Sequence, residues 1–148
     1  MTNTFTYEIN TPLDKVVQLY SNYDNHKNWQ KELVSWEPVS GPHLQKGSKT
    51  RLVYRSVTMI ETIIANNLPH SITSEYDHLH GKNIVMRHRS THRFSAIGAA
   101  KTRFETEMEF IEAFGFMPKL MMKLMGGMFR KFYDAQLKRF GEYAESVK

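Results

Sequence analysis

Cysteine is absent from the 148 residues. That excludes disulfides, thiolate nucleophiles and Cys-ligated zinc. Long apolar runs are missing as well. The richest stretch, Phe114 to Met128, is interrupted by Pro118, Lys119 and Lys123, so nothing reaches the roughly 18 apolar residues of a membrane span. Met1 to Tyr7 lack the basic and apolar regions of a secretory leader, and a cytoplasmic location is the expectation. There is no internal repeat, low-complexity tract or linker, so one domain over residues 1–148 is expected. Hydrophobic residues make up 41% and charged residues 24%, values that suit a globular chain and argue against disorder. A chain of this length buries roughly two thirds of its unfolded surface, enough for a core without metals or disulfides.

Acids are outnumbered. Twenty Lys and Arg against 15 Asp and Glu give a net charge of +5, which raises nucleic acid as a partner. The positive charges are spread along the chain, however, and the densest cluster (Arg87, Arg89, Arg93) is matched by Glu105, Glu107 and Glu109. Phosphate-binding patches lack such acidic partners and carry interleaved aromatics. No nucleic-acid partner is expected.

Hydrophobic periodicity sets the elements. Thr4 to Ile9 alternates as a half-buried first strand. Thr11-Pro12 reads as an N-cap followed by proline at the first helical position, with Asp14 in the first turn. Val16, Val17, Leu19 and Tyr20 give that short helix an apolar side, and a second short helix over Asn25 to Lys31 sets Trp29 against the sheet. The period then becomes two. Strands are expected over Val34–Val39, Ser48–Arg55, Thr58–Ala65, Ser71–Leu79, Asn83–Phe94 and Lys101–Ile111, separated by short Gly, Pro and Asn turns. Connections so short suit hairpins rather than parallel crossovers. Beyond Gly115 the period is helical to the end, with Gly126-Gly127 marking a kink or break. Strands followed by a segregated terminal helix indicate an α+β architecture.

Several stretches resemble the START/Bet v 1-like (SRPBCC) superfamily, in particular its polyketide cyclase/dehydrase-type branch. Ile9-Asn10-Thr11-Pro12-Leu13-Asp14-Lys15-Val16 is similar to its first strand-to-helix passage, and Trp29 to the aromatic of its second short helix. Lys101 to Thr106 resembles its last strand, and Met128 to Phe140 its closing helix. Ala100-Lys101 departs from the common Gly-Gly, and Phe140 replaces an aliphatic residue. The resemblance implies a helix-grip fold, with a seven-stranded curved sheet around the last helix and a cavity between them. Relatives bind lipids, sterols, polyketides or plant hormones, and a minority catalyse cyclisation, dehydration or hydrolysis. No catalytic motif is shared across the family, and no cofactor is expected.

The last strand gives the clearest facing. Thr102, Phe104, Thr106, Met108 and Phe110 share one side; Arg103, Glu105, Glu107 and Glu109 share the other. A hairpin near Gly98 then turns Ile84, Met86, His88, Ser90 and His92 inward and sets Arg87, Arg89 and Arg93 opposite the three glutamates. Leu52 with Tyr54, and Ser74 with Tyr76, are the inward candidates on the neighbouring strands. The long helix adds Met121, Met125, Met128, Phe129 and Phe132 to this ligand-binding set, together with Met117, Leu120, Leu124 and Tyr133. Methionine is flexible and polarizable and suits walls that adapt to apolar ligands.

His88, His92 and Tyr76 are the candidates for catalysis. An inward histidine can orient a carbonyl or phenol or act as a general base; the plainer reading is a histidine at the cavity mouth, bonded to Ser90, Tyr76 or water. His78-x-His80 with His88 and His92 raises a metal reading, but His80 falls in a turn and no carboxylate clearly converges, so no metal is expected. Glu61 can face either way: outward to Arg51 or Arg55, the plainer expectation, or inward beside His88 with a raised pKa. Apolar residues before Gly126-Gly127 cover almost the whole helix circumference, more than one sheet face can use. That leaves a mobile lid, a homodimer contact or a peripheral membrane contact; for the last, Lys119, Lys123, Arg130 and Lys131 would suit anionic head groups. The leading expectation is a binding or carrier protein for a hydrophobic small molecule, lipid-like or aromatic. The alternative is a small cyclase, dehydratase or hydrolase using the cavity histidines.

Overall fold

Alternating strands joined by tight turns close into one antiparallel sheet in the computed structural model, which describes residues 2–147. The strands are β1 (Thr2–Ile9), β2 (Leu33–Ser40), β3 (Lys49–Tyr54), β4 (Thr58–Asn67), β5 (Ser71–His80), β6 (Asn83–Gly98) and β7 (Lys101–Ala113). Their order across the sheet is β1-β7-β6-β5-β4-β3-β2. Helix α1 (Leu13–Ser21) and a 3-10 helix (Tyr23–Asn28) follow β1, and α2 (Phe116–Ser146) ends the chain. This is the α+β helix-grip arrangement.

Three local expectations are corrected. Thr11 is not a side-chain cap: the cap position is Pro12, whose carbonyl accepts the Val16 N–H at 3.0 Å. Thr11 instead ties elements together, its hydroxyl donating to the Ala144 carbonyl at 3.3 Å and its own carbonyl accepting from Thr102 Oγ1 at 2.7 Å. The second short helix lies earlier than Asn25–Lys31 and is of 3-10 type, because Asn22 caps it by accepting the Asp24 N–H at 3.1 Å. Helix α2 shows no break at Gly126-Gly127; helical backbone continues through both glycines.

Two register shifts decide which side chains of β6 face inward. Opposite β5 the pairing jumps between His78↔Met86 and Leu79↔Ile84, leaving Val85 as the extra residue. Opposite β7 it jumps between Arg87↔Glu112 and His88↔Phe110, leaving Ile111 unpaired. A bulge reverses the facing on one side of itself. His88, Ser90, His92 and Phe94 therefore point inward as a set, whereas Ile84, expected inward, is 37% exposed. Arg87 lies across from Glu112 instead of one of the three expected glutamates. Its ion pair is with Asp77 of β5 at 2.6 Å, Arg89 pairs with Glu75, and Arg93 meets Glu105 at 3.2 Å.

The core gathers where α2 touches the sheet. Phe140 is fully buried, with ring centroids 4.9 Å from Trp29, 5.3 Å from Phe104 and 5.9 Å from Tyr20. Only Leu137, Phe140, Gly141 and Ala144 of the helix are buried. The grip therefore begins at Leu137, about two and a half turns beyond Met128, where the resemblance to the family's closing helix begins, and the front of α2 stands away from the sheet. Among the described residues no helix is long and apolar enough to cross a membrane.

Candidate functional site

Because α2 seats only its last turns on the sheet, a cavity of about 820 Å³ remains under its front half. That volume suits a small organic ligand. Leu52, Tyr54, Met59, Glu61, Tyr76, His78, Met86, His88, His92 and Phe110 form its sheet side. Met117, Met121, Met122, Met125, Met128, Phe129, Phe132 and Tyr133 form its helix side, and Tyr20, Tyr23, His26 and Trp29 close one end. Among the described residues the walls contain no Lys or Arg, and their carboxyl groups are those of Glu32 and Glu61.

Of the side chains expected at the ligand, Leu52, Tyr54, Tyr76, Met86, His88, His92, Met121, Met125, Met128, Phe129 and Phe132 border this space. Ser74, Ser90, Phe104, Thr106 and Met108 do not. They face inward but are wholly buried beneath the walls. The reason is the seating of α2, which packs along β1 and β7 and so covers the inward residues of β7 directly. Ser90 Oγ and the Tyr133 hydroxyl share a hydrogen bond of 2.8 Å that pins the helix to β6.

The polar groups fall into two clusters. In the first, His78 Nε2 and His88 Nδ1 are 2.7 Å apart, one donating to the other, and the Tyr76 ring stacks on His88 at 4.7 Å and 11°. His92 is held separately by Thr106 Oγ1 at 2.7 Å. Contrary to the plainer expectation, neither histidine sits at a mouth or bonds Ser90 or Tyr76; both are buried. Burial pushes His78 down to about 4 and His92 to about 3. It also holds His88 well below the usual histidine range, with charge on His78 and His92 acting in the same direction. His26, whose Nε2–H donates to the Tyr20 carbonyl (2.7 Å), is lowered to about 4 for the same reason. All four rings are neutral at pH 7. No group of three or more His, Asp or Glu suited to a metal ion occurs among the described residues.

The second cluster surrounds Glu61, which is 2% exposed. The outward expectation is overturned: Glu61 pairs in register with Tyr76 and Thr50, both on the inner face, while Arg51 and Arg55 approach Glu37 (3.8 Å) and Glu32 (4.0 Å). The Tyr23 hydroxyl donates to Glu61 Oε1 at 2.5 Å. Desolvation raises the carboxyl pKa; the hydroxyls of Tyr23, Tyr76 and Ser74 oppose the rise by stabilising negative charge. A raised carboxyl pKa means that ionisation costs folding energy as pH rises. Glu61→Gln, which keeps an acceptor for Tyr23, is therefore expected to raise the melting temperature at pH 8 and to change it little near pH 4.5. Equal effects at both pH values would show that Glu61 ionises freely.

Tyr23 and His26 escaped the sequence reading. Both belong to the 3-10 helix, whose tighter turn puts residues three apart on one side; the Asn25–Lys31 assignment hid that pairing.

One protein-family model, described as polyketide cyclase/dehydrase and lipid transport, matches residues 2–145. The chain belongs to that family. Solved structures agree on the fold. The Zhui aromatase/cyclase from a Streptomyces species is 14% identical with a TM-score of 0.77, covering 98% of this chain and 93% of its own. A START superfamily protein from Mycobacterium smegmatis is 12% identical with a TM-score of 0.75, covering 99% of each chain. A Thermus thermophilus protein is 18% identical with a TM-score of 0.70, covering 97% of each. No curated protein matches the sequence. At these identities the structural likeness speaks for the fold alone, and the polyketide cyclase/dehydrase family is broad enough to hold both binders and enzymes.

Proposed function

We propose that this protein binds an uncharged, largely apolar small molecule carrying one or two hydrogen-bonding groups. The supporting observation is the wall composition of the 820 Å³ cavity: methionine and aromatic carbon throughout, tyrosines and neutral histidines for polarity, and no Lys or Arg. An anionic head would lose its hydration there without a cation to replace it, and would face Glu61. Neutral imidazole and tyrosine hydroxyl groups can donate to or accept from a phenol, alcohol or ketone.

The test uses purified protein. Solvent extraction followed by mass spectrometry is expected to release an apolar compound, and an environment-sensitive apolar dye is expected to bind saturably near one per chain. 2-Naphthol should displace the dye at concentrations at least about ten-fold lower than 2-naphthoate, since an unpaired buried charge costs more than the ~1.4 kcal/mol that a factor of ten represents. Finding neither an extracted ligand nor saturable dye binding would sink the proposal.

A second reading, a cyclase or dehydratase, is favoured by the convergence of Tyr76, His78 and His88 in one wall. Against it stands basicity: an imidazole lowered to about 4 is a weak proton acceptor at pH 7. The same residues suit holding a ligand better than abstracting its proton.

A further inference from the structure

Helix α2 carries a row of large apolar side chains that serve neither core nor cavity. Phe116, Leu120 and Leu124 recur every four residues, so they lie on one face. They are 78%, 37% and 71% exposed, and none borders the cavity. The cavity-facing side of the same turns is formed by Pro118, Met122, Met125 and Phe129. The front of α2 is thus apolar on two sides, and the outer side has no partner among the described residues.

Charge indicates what that side meets. From Ala113 to Tyr133 there is no acidic residue, whereas Lys119, Lys123, Arg130 and Lys131 are all present and exposed. Lys119 and Lys123 each precede a residue of the apolar row, and Lys131, seven residues beyond Leu124, continues it. None of the four makes an ion pair among the described residues. A second copy of the chain is a poor match, because a two-fold contact would set one basic, acid-free face against the same face. An anionic lipid surface supplies both missing complements, hydrocarbon for the row and negative headgroups for its margin.

We propose that the outer face of α2 around Phe116, Leu120 and Leu124 docks the protein on anionic membrane surfaces. The helix lies in the plane of the interface with its row in the acyl boundary, which brings the helix that covers the cavity into contact with the bilayer.

Co-sedimentation with lipid vesicles tests this on the full chain. Binding to phosphatidylcholine vesicles containing phosphatidylglycerol is expected to exceed binding to phosphatidylcholine alone by at least about ten-fold, and to weaken as salt is raised. Leu124→Asp should abolish it, and Lys119→Glu with Lys123→Glu should reduce it about ten-fold or more. Both changes lie at exposed positions and should leave the melting temperature unaltered; Val39→Asp, at an exposed apolar site on β2, should bind as the parent does. Failure to sediment with either vesicle type, equal sedimentation with both, or full binding by Leu124→Asp would each overturn the proposal. So would concentration-dependent dimerisation removed by Leu124→Asp in place of vesicle binding.

Discussion

Acidification from pH 7 to pH 5 is expected to remove most of the folding stability of this protein. The cause is the set of buried neutral imidazoles. His26 and His78 are lowered to about 4, His92 to about 3, and His88 in the same direction. A histidine whose pKa is depressed in the folded state binds its proton more readily when unfolded. Its contribution is complete above the unfolded pKa near 6.5 and is lost as pH falls toward the folded value. At pH 5 each of His26, His78 and His92 costs about 2 kcal/mol, from about 1.36 kcal/mol per pH unit of separation. Together they rival the lower end of an ordinary domain's stability, about 5–15 kcal/mol. Glu61 works the other way, since its raised pKa makes protonation favour the fold, but it is one carboxyl against four rings. The melting temperature should fall steeply between pH 6.5 and 5 and change little from these rings above pH 7.5. His92→Gln, which can still meet Thr106 Oγ1, should flatten the slope by about one proton, or about 1.4 kcal/mol per pH unit. A melting temperature that stays level from pH 7 to 5 would mean the rings are solvated and the cavity wall is not as described.

The residues behind that expectation show how far the sequence could be read. β7 was legible: Thr102, Phe104, Thr106 and Met108 alternate with charged residues and are all buried, since a strand with one solvated side records its facing in its own pattern. That pattern carried over to β6 as far as His88, Ser90 and His92. It failed at Ile84 because the pairing shifts at Val85 and Ile111, and no local spacing announces such bulges. Glu61 was hidden differently. Both alternations through β4 were nearly equal in hydrophobicity, and what decides the facing is Tyr23, which is 38 residues away in sequence. A carboxyl turned inward costs energy that only a distant hydroxyl makes tolerable. Residues fixed by long-range polar partners are therefore the ones local reading misses, and here they are also the ones at the cavity.

The contrast between the buried end of α2 and its exposed front leads to the other large effect. Phe140→Ala is expected to cost about 3–5 kcal/mol, the usual penalty for emptying a fully packed aromatic site. Phe140 is wedged among Tyr20, Trp29 and Phe104 and has no exposed surface. Those neighbours belong to α1, the segment after the 3-10 helix and β7, so the ring joins three parts of the chain and its loss cannot be absorbed by one of them relaxing. Sixteen residues earlier on the same helix, Leu124→Ala should change stability by no more than about 0.5 kcal/mol, as surface substitutions do. Phe129 lies between these extremes, half-buried over His78, His88 and Phe110. Phe129→Asp should weaken dye binding at least about ten-fold, because it puts a carboxylate against the apolar wall, while costing less stability than Phe140→Ala. Denaturant unfolding of the three variants checks the gradient, and dye titration of Phe129→Asp separates binding from folding. If Leu124→Ala cost as much as Phe140→Ala, the front of α2 would be part of the folding core. It could not then move away from the sheet to admit a ligand without unfolding the protein.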